Sequence, residues 1–239
     1  MNKRPYAVFD IDGTLIRWQL YHAVADVLAK QKIIDRTKYQ SVLLARANWK
    51  TRQTNNSFEN YEKSLIKLFD ETIPGMSVRV FNNVCDEVIT QYRDQVYTYT
   101  RDLITKLKQK DYFLLAISAS PEELVKHIAA YYKFDDFKAS HYETKDGKLT
   151  GHKAILYGNA KTQQLTKLIK KHNLETKGSI AIGDTLGDLN MLSLADKAIA
   201  FNPASDLLKK AKSNRWEIVI ERKNVVYRLE YRDGKYLLA

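Results

Sequence analysis

Two carboxylates, Asp10 and Asp12, come directly after the apolar run that begins at Ala7. Such a run predicts a buried strand, and a buried carboxylate costs several kcal/mol unless it is paired or bound to a metal. Because side chains alternate along a strand, both acids point to the same side, and Gly13 then permits a tight turn. This pair therefore predicts either a solvated turn or a cation held between two like charges.

A second acidic stretch, GDTLGD over residues 183–188, follows another apolar run and contributes Asp184 and Asp188. Carboxylates without histidine or cysteine are hard oxygen ligands of the kind that magnesium prefers. The two stretches together favour a Mg2+ site with four candidate metal ligands: Asp10, Asp12, Asp184 and Asp188. A cation at this point explains why so many acids are tolerated near a core.

A carboxylate can also act as a nucleophile that accepts a phosphoryl group. That chemistry needs hydrogen-bond donors and a fixed positive charge on the transferring group. Ser118, with Ala119 beside it, offers a hydroxyl and backbone N–H groups before a predicted helix. Lys161 offers the charge from the first turn of another predicted helix, whose dipole adds to it.

The elements that must position these residues alternate between short apolar strands and amphipathic helices from residue 100 onward. This rhythm predicts an α/β fold, a Rossmann-like parallel sheet with helices on both faces. Ligands bind beyond the carboxyl ends of such strands, where the acidic stretches and the SAS segment 118–120 all fall. Ser120 is predicted to cap the next helix, with Pro121 as its first residue. Asp-Gly pairs at 146–147 and 233–234 predict two hairpins.

The segment after the first strand has a different pattern, with apolar residues at helical spacing. We therefore predict two domains. The first is a Rossmann-like catalytic core of residues 1–16 and 97–239, which includes a C-terminal hairpin. The second is a helical cap domain over residues 17–96.

Taken in order, the segments DIDGT, SAS, NAK and GDTLGD resemble the haloacid dehalogenase superfamily, in the branch that includes the phosphoserine phosphatases. The resemblance implies a Mg2+-dependent phosphatase that works through an aspartyl-phosphate, with a cap that excludes water from the substrate. By this resemblance Asp10 is the nucleophile and a metal ligand, and Asp12 is the general acid/base and binds metal through its backbone carbonyl. The remaining implied roles are phosphoryl binding by Ser118 and Lys161, metal ligation by Asp184 and support of the metal site by Asp188.

Two positions depart from that branch. Gln19 stands where phosphoserine phosphatases typically carry a glutamate for the substrate ammonium, and Gly187 stands where they carry an asparagine. A neutral amide cannot offset the desolvation of an ammonium as a carboxylate does. We therefore include Gln19 among the substrate-binding residues and expect a substrate other than L-phosphoserine.

Composition and net charge limit the expected location and partners of the protein. The chain has 239 residues, one cysteine and a formal net charge of +11. A single cysteine excludes an internal disulfide framework, and no apolar stretch suited to a signal peptide precedes the first strand, so we expect a cytoplasmic protein. The positive net charge favours a small phosphorylated metabolite as partner and predicts at most weak association with anionic membrane. The sequence lacks the motifs of specific nucleic-acid binding, so we expect none.

Three other functions are weighed against a soluble phosphatase. A phospholipid-headgroup phosphatase would use the basic surface to stay on an anionic membrane. A regulatory module that binds phosphate without turnover needs an acidic pocket but no second acid in Asp-x-Asp spacing, so Asp12 argues against it. Nucleic-acid binding driven by charge would show a strong dependence on salt.

Overall fold

The computed structural model describes residues 3–54 and 56–239. Within them the chain forms two compact units. Unit 1 comprises residues 1–19, 91–141 and 155–239, and unit 2 comprises residues 20–90 and 142–154. The segment 142–154 is far in sequence from the helices with which it is grouped, and the predicted cap over residues 17–96 does not include it.

The strands and helices alternate in much of the chain. The strands are β1 Pro5–Phe9, β2 Phe113–Pro121, β3 Asp136–Lys145, β4 Lys148–Ala154, β5 Glu175–Gly183, β6 Lys197–Phe201, β7 Glu217–Arg222, β8 Val225–Arg232 and β9 Lys235–Leu238. The helices are α1 Leu20–Lys30, α2 Arg36–Lys50, α3 Ser57–Thr72, α4 Val78–Tyr92, α5 Thr98–Gln109, α6 Glu122–Tyr131, α7 Asn159–Lys171, α8 Leu189–Ser193 and α9 Ser205–Ser213. A 3-10 turn, Leu186–Asp188, lies directly before α8.

Unit 1 is built on a twisted sheet with strand order β3-β2-β1-β5-β6-β7-β8-β9. The pairs from β3 to β7 are parallel, and β8 and β9 add an antiparallel end. Strand β1 lies between two parallel neighbours, so Tyr6, Ala7, Val8 and Phe9 are completely buried. The predicted α/β class with a parallel sheet is confirmed.

The core of unit 1 packs helices against the sheet. Tyr6 and Val8 of β1 join Leu115 and Ile117 of β2 in one apolar cluster, which continues into α7, α8 and α9. Apolar residues three and four apart, such as Leu165 and Leu168, supply the helical side of this cluster. The packing fixes the carboxyl ends of β1, β2 and β5 next to one another.

Unit 2 is mainly helical, as the spacing of apolar residues predicts. Its helices enclose aromatic side chains, among them Trp49 stacked on Tyr61 with ring centroids 5.6 Å apart. Arg46 of α2 reaches Asp26 of α1 with an N–O distance of 2.6 Å. In the same unit Phe81 packs near Tyr142, at a centroid distance of 5.8 Å.

The expected helix start at Ser120 is wrong. Strand β2 continues through Ser120 to Pro121, and Pro121 itself is the N-cap of α6, without a side-chain cap hydrogen bond. Instead of capping the helix, Ser120 donates its backbone N–H to Ser118 Oγ at 2.9 Å. The strand is prolonged because Ser140 of β3 donates to the Ala119 carbonyl at 2.6 Å, where the register of the two strands shifts.

The Asp-Gly hairpin turns occur where the sequence predicts them, between β3 and β4 and between β8 and β9. Among the described residues no helix is both long enough and apolar enough to cross a membrane.

Helix α5 begins without a cap of its own, and a distant strand supplies one. Glu221 of β7 accepts hydrogen bonds from the backbone N–H groups of Thr98 and Tyr99 at 3.0 and 2.9 Å. A carboxylate suits this position because the first N–H groups of a helix lack partners within it.

We expect Glu221→Ala to lower the free energy of unfolding by about 1–3 kcal/mol, the usual cost of losing hydrogen bonds to a charged group. Urea denaturation measures the change. Glu221→Gln keeps one acceptor and should lose less, and Glu230→Ala on the neighbouring strand β8 is the control. Equal stability of Glu221→Ala and the unmodified protein would show that Glu221 does not support α5.

Candidate active site

Asp10 and Asp12 follow β1 at the carboxyl edge of the sheet. The backbone N–H of Asp10 still pairs with the Ile182 carbonyl at 3.0 Å, so Asp10 is held at the end of the strand ladder. Its side chain is almost completely buried, whereas Asp12 is half-buried. Asp12 Oδ2 accepts a hydrogen bond of 2.7 Å from Ser118 Oγ, which joins the ends of β1 and β2.

Lys161, in the first turn of α7, extends its ammonium group into this region. Its Nζ lies 2.6 Å from Asp10 Oδ1 and 2.6 Å from Asp188 Oδ1. The side chain is buried, which by itself would lower its pKa, but the two carboxylates outweigh burial and raise the pKa of Lys161. The two carboxylates therefore favour the charged form of Lys161 inside the protein.

The same contacts affect Asp10 differently. Burial raises the pKa of Asp10 to about 7; Lys161 opposes the shift, while Asp188 and Asp12 add to it. The two shifts differ in cause: the carboxylates outweigh burial at Lys161, whereas at Asp10 burial and the neighbouring carboxylates outweigh the one ammonium.

Asp184 and Asp188 lie in the loop after β5. Asp188 Oδ2 accepts hydrogen bonds from the backbone N–H groups of Asp184 and Thr185, at 3.2 and 3.1 Å, which closes the loop on itself. Thr185 and Asp188 form the reciprocal capping box of the turn that follows. Asp184 accepts a 3.4 Å hydrogen bond from Thr14 Oγ1, and burial, followed by Asp10 and Asp188, raises the pKa of Asp184 well above its usual range.

Gly13 allows Asp184 to approach the end of β1. Its φ is +81°, and a Cβ at this position would come within 2.3 Å of Asp184 Oδ2. Any larger residue would therefore be strained and would also displace the carboxylate. The amide nitrogen of Gln19 is nearby, 3.3 Å from the same Cβ position, so Gln19 lies at the margin of the acidic cluster.

The acidic cluster fits a divalent cation. One carboxylate oxygen from each of Asp10, Asp184 and Asp188 lies within 4.8 Å of the others. When all three are ionised, these carboxylates exceed the charge of the Lys161 ammonium by two. Mg2+ binds hard oxygen donors, and its two positive charges would neutralise the two excess negative charges. Asp10 and Asp184 would hold it directly, because both oxygens of Asp188 already accept hydrogen bonds.

The structure thus places every predicted site residue in unit 1. It brings Asp10, Asp184, Asp188 and Lys161 together in one cluster, and it joins Asp12 to Ser118. Ala119 lies beside Ser118, and its carbonyl is held by Ser140. The side chain of Asp12 is not among the three whose oxygens lie within 4.8 Å of one another, and its backbone role toward metal stays a prediction.

Four residues that support the site escaped the sequence analysis. Thr14 and Thr185 lie inside the acidic motifs, so their positions could have identified them as residues that support the site. Ser140 and Thr100 have no local signal: they are 21 and 86 residues away from their partners, the carbonyls of Ala119 and Thr14. Only the folded chain identifies them.

Comparison with known proteins agrees with this geometry. The sequence model of the haloacid dehalogenase-like hydrolases matches residues 7–193. The phosphoserine phosphatase SerB1 of Mycobacterium tuberculosis is 26% identical over 216 residues, which cover 89% of this chain and 69% of that protein. A phosphoserine phosphatase of Methanocaldococcus jannaschii is 30% identical over 132 residues, or 54% of this chain and 60% of the relative.

Solved structures share the fold. A protein of unknown function from Bordetella pertussis Tohama I superposes with a TM-score of 0.71 at 18% identity, over 92% of this chain and 99% of the other. A phosphoserine phosphatase captured as a phospho-aspartyl intermediate analogue gives a TM-score of 0.65 at 23% identity, over 93% and 95%.

We expect Gly13→Ala to abolish tight Mg2+ binding, because the new methyl group must push Asp184 away from Asp10. Isothermal titration with Mg2+ measures the effect. Gly234→Ala is a matched control, since Gly234 has a φ of +83° and nothing within 4 Å of its Cβ position. This control should lose about 1–2 kcal/mol of stability through backbone strain and keep its affinity for Mg2+. Equal affinities in the two variants would contradict the role of Gly13.

The raised pKa of Asp10 predicts how stability changes with pH in the metal-free protein. A carboxyl whose pKa rises from 3.8 to about 7 on folding takes up a proton, so its contribution is most favourable below pH 4 and is lost as pH rises toward 7. We expect the free energy of unfolding in chelator to fall across this window, by up to about 1.4 kcal/mol per pH unit from Asp10, with a contribution of the same sign from Asp184.

Urea denaturation in chelator at several pH values tests this slope. Asp10→Asn should make the slope shallower without abolishing it, because Asp184, whose pKa is also raised, still titrates. A slope that is the same in Asp10→Asn and in the unmodified protein would assign it to other groups.

Proposed function

The chain belongs to the haloacid dehalogenase-like hydrolases as a phosphoric monoester hydrolase, and from this premise we propose that it hydrolyses a small phosphomonoester through a covalent phospho-aspartate. The observation that carries the proposal is the buried ammonium of Lys161, which lies 2.6 Å from Asp10 inside an acidic cluster. A carboxylate beside a fixed cation and hydroxyl donors is suited to accept and release a phosphoryl group.

In the first step an oxygen of Asp10 attacks phosphorus, and the bond from phosphorus to the leaving oxygen breaks. Asp12 donates a proton to that oxygen, so the product leaves as an alcohol. Ser118, which contacts Asp12, and Lys161 bind the phosphoryl oxygens and stabilise their charge.

In the second step Asp12, now a carboxylate, takes a proton from water. The resulting hydroxide attacks the phosphorus, the bond to Asp10 breaks, and inorganic phosphate forms. Bound magnesium would supply positive charge that offsets the acidic cluster and the phosphoryl oxygens. The helical cap over residues 17–96 stays a prediction that accompanies this proposal.

The neutral side chain of Gln19, at the margin of the acidic cluster, indicates the class of substrate. Gln19 lies near Gly13 and offers a neutral amide. A substrate ammonium buried there would need a carboxylate, and a hydrogen bond to a charged group is worth about 1.5–3 kcal/mol. We therefore propose a phosphomonoester without an amino group at that end, although several relatives are named phosphoserine phosphatases.

We expect Asp10→Asn to abolish turnover while the protein stays folded, because an amide is a poor nucleophile toward phosphorus. The assay is phosphate release from a panel of phosphometabolites with Mg2+ present, and chelator should silence the unmodified enzyme. Mass spectrometry of quenched enzyme should detect the phosphorylated peptide that contains Asp10. Asp206→Asn, an exposed acid on α9, is the control. Near-normal phosphate release by Asp10→Asn would refute the covalent mechanism.

We expect weak activity on L-phosphoserine, and Gln19→Glu should shift the preference toward it by about tenfold, or about 1.4 kcal/mol. The ratio of kcat/KM for phosphoserine to that for an amine-free phosphoester measures the shift. Gln109→Glu adds the same charge on the exposed end of α5 and should leave the ratio unchanged. Efficient phosphoserine hydrolysis by the unmodified protein would show that another acid binds the ammonium.

A further inference from the structure

The ring of Tyr157 lies against the backbone of the loop that carries Asp184 and Asp188. A Cβ on Gly187 would come within 2.4 Å of Tyr157 Cε2 and within 2.9 Å of Cδ2 and Cζ. Gly187 is not among the glycines with positive φ, so its backbone conformation does not itself require a glycine. A side chain at position 187 would therefore displace the ring of Tyr157.

Two further contacts join the same two segments. The side chain of Asn190 donates a hydrogen bond to Asn159 Oδ1. Lys161 Nζ contacts Asp188 Oδ1 at 2.6 Å. Residues 157, 159 and 161 therefore each contact the segment 187–190, and the contact of Tyr157 is the one that depends on close packing of a ring on backbone.

Burial does not account for a tyrosine at this position. Tyr157 is 58% exposed, whereas its neighbour Leu156 is buried in the core of unit 1. The N-cap of α7, Gly158, makes no side-chain cap hydrogen bond. The first turn of α7, which carries Lys161, is instead closed by backbone hydrogen bonds from the Ala160 N–H to the Tyr157 carbonyl and from the Lys161 N–H to the Gly158 carbonyl, both at 3.1 Å, so Tyr157 is itself part of this turn.

We propose that Tyr157 is a positioning residue whose ring holds the 184–188 loop against the first turn of α7, and so sets where Lys161 meets Asp10 and Asp188. The inference rests on the proposed function, in which Lys161 binds the phosphoryl group. Tyr157 acts through Lys161 and the loop, and it requires no contact with substrate.

The test compares Tyr157→Ala, Tyr157→Phe, Gly187→Ala and the double variant Tyr157→Ala/Gly187→Ala. Because the ring is exposed, a methyl group at 187 displaces it instead of unfolding the loop, and both single Ala variants lose the same contact. We expect each to lower kcat/KM by about tenfold and to raise the inhibition constant of inorganic phosphate by a similar factor. Tyr157→Phe keeps the ring and removes only the hydroxyl, so it should retain clearly more activity than Tyr157→Ala.

The double variant makes the test decisive. It should be no worse than either single Ala variant, because the contact can be lost only once. Losses that multiply would overturn the proposal, and so would a Tyr157→Phe variant as impaired as Tyr157→Ala. An unchanged inhibition constant of phosphate in Tyr157→Ala would also overturn it. Loss of stability alone would reduce the amount of folded enzyme without changing the affinity of the folded molecules for phosphate. Tyr227→Ala, an exposed tyrosine on β8, is the matched control.

Failure of the proposed function gives a different result. If the unmodified protein hydrolyses no phosphomonoester on the panel, that function fails, and the contact is then measured by urea denaturation of the same four variants. Non-additive free energies of unfolding in the Tyr157–Gly187 cycle would support the contact, and additive ones would refute it.

Discussion

The rest of the site depends on the ion pairs that the buried ammonium of Lys161 makes with two carboxylates. The ammonium contacts Asp10 at the end of β1 and Asp188 in the loop after β5, both at 2.6 Å. Removing one partner of a buried ion pair leaves an uncompensated charge at a cost of several kcal/mol. The start of α7, the end of β1 and the 184–188 loop therefore adopt their positions together.

The charge balance of this cluster explains why it suits catalysis better than stability. One ammonium cannot offset three nearby carboxylates, and the raised pKa values of Asp10 and Asp184 are the physical consequence. A protein selected for stability alone would replace these acids with apolar residues. Their retention in a buried place is expected of a site that works with a divalent cation and an anionic substrate.

Small hydroxyl groups connect this cluster to the surrounding sheet. Ser140 donates to the Ala119 carbonyl and accepts from the Leu156 N–H at 2.9 Å, so it joins the end of β2 to the chain just before α7. Thr100 of α5 donates to the Thr14 carbonyl at 2.9 Å and holds the turn after β1. These buried bonds give the reactive side chains a rigid support, as an electrostatically preorganised site requires.

The sequence by itself determined the α/β class and the acidic and basic residues of the site, because strand periodicity and short motifs are local. Apolar runs that end in Asp10 and Asp184 place both acids at one sheet edge in any parallel fold. Only the tertiary structure decided the rest: Ser120 remained in a strand, Ser140 and Thr100 became supports, and Tyr157 came to lie on Gly187. Those outcomes depend on contacts between residues distant in the chain, where side-chain geometry and strand register prevail over local propensity.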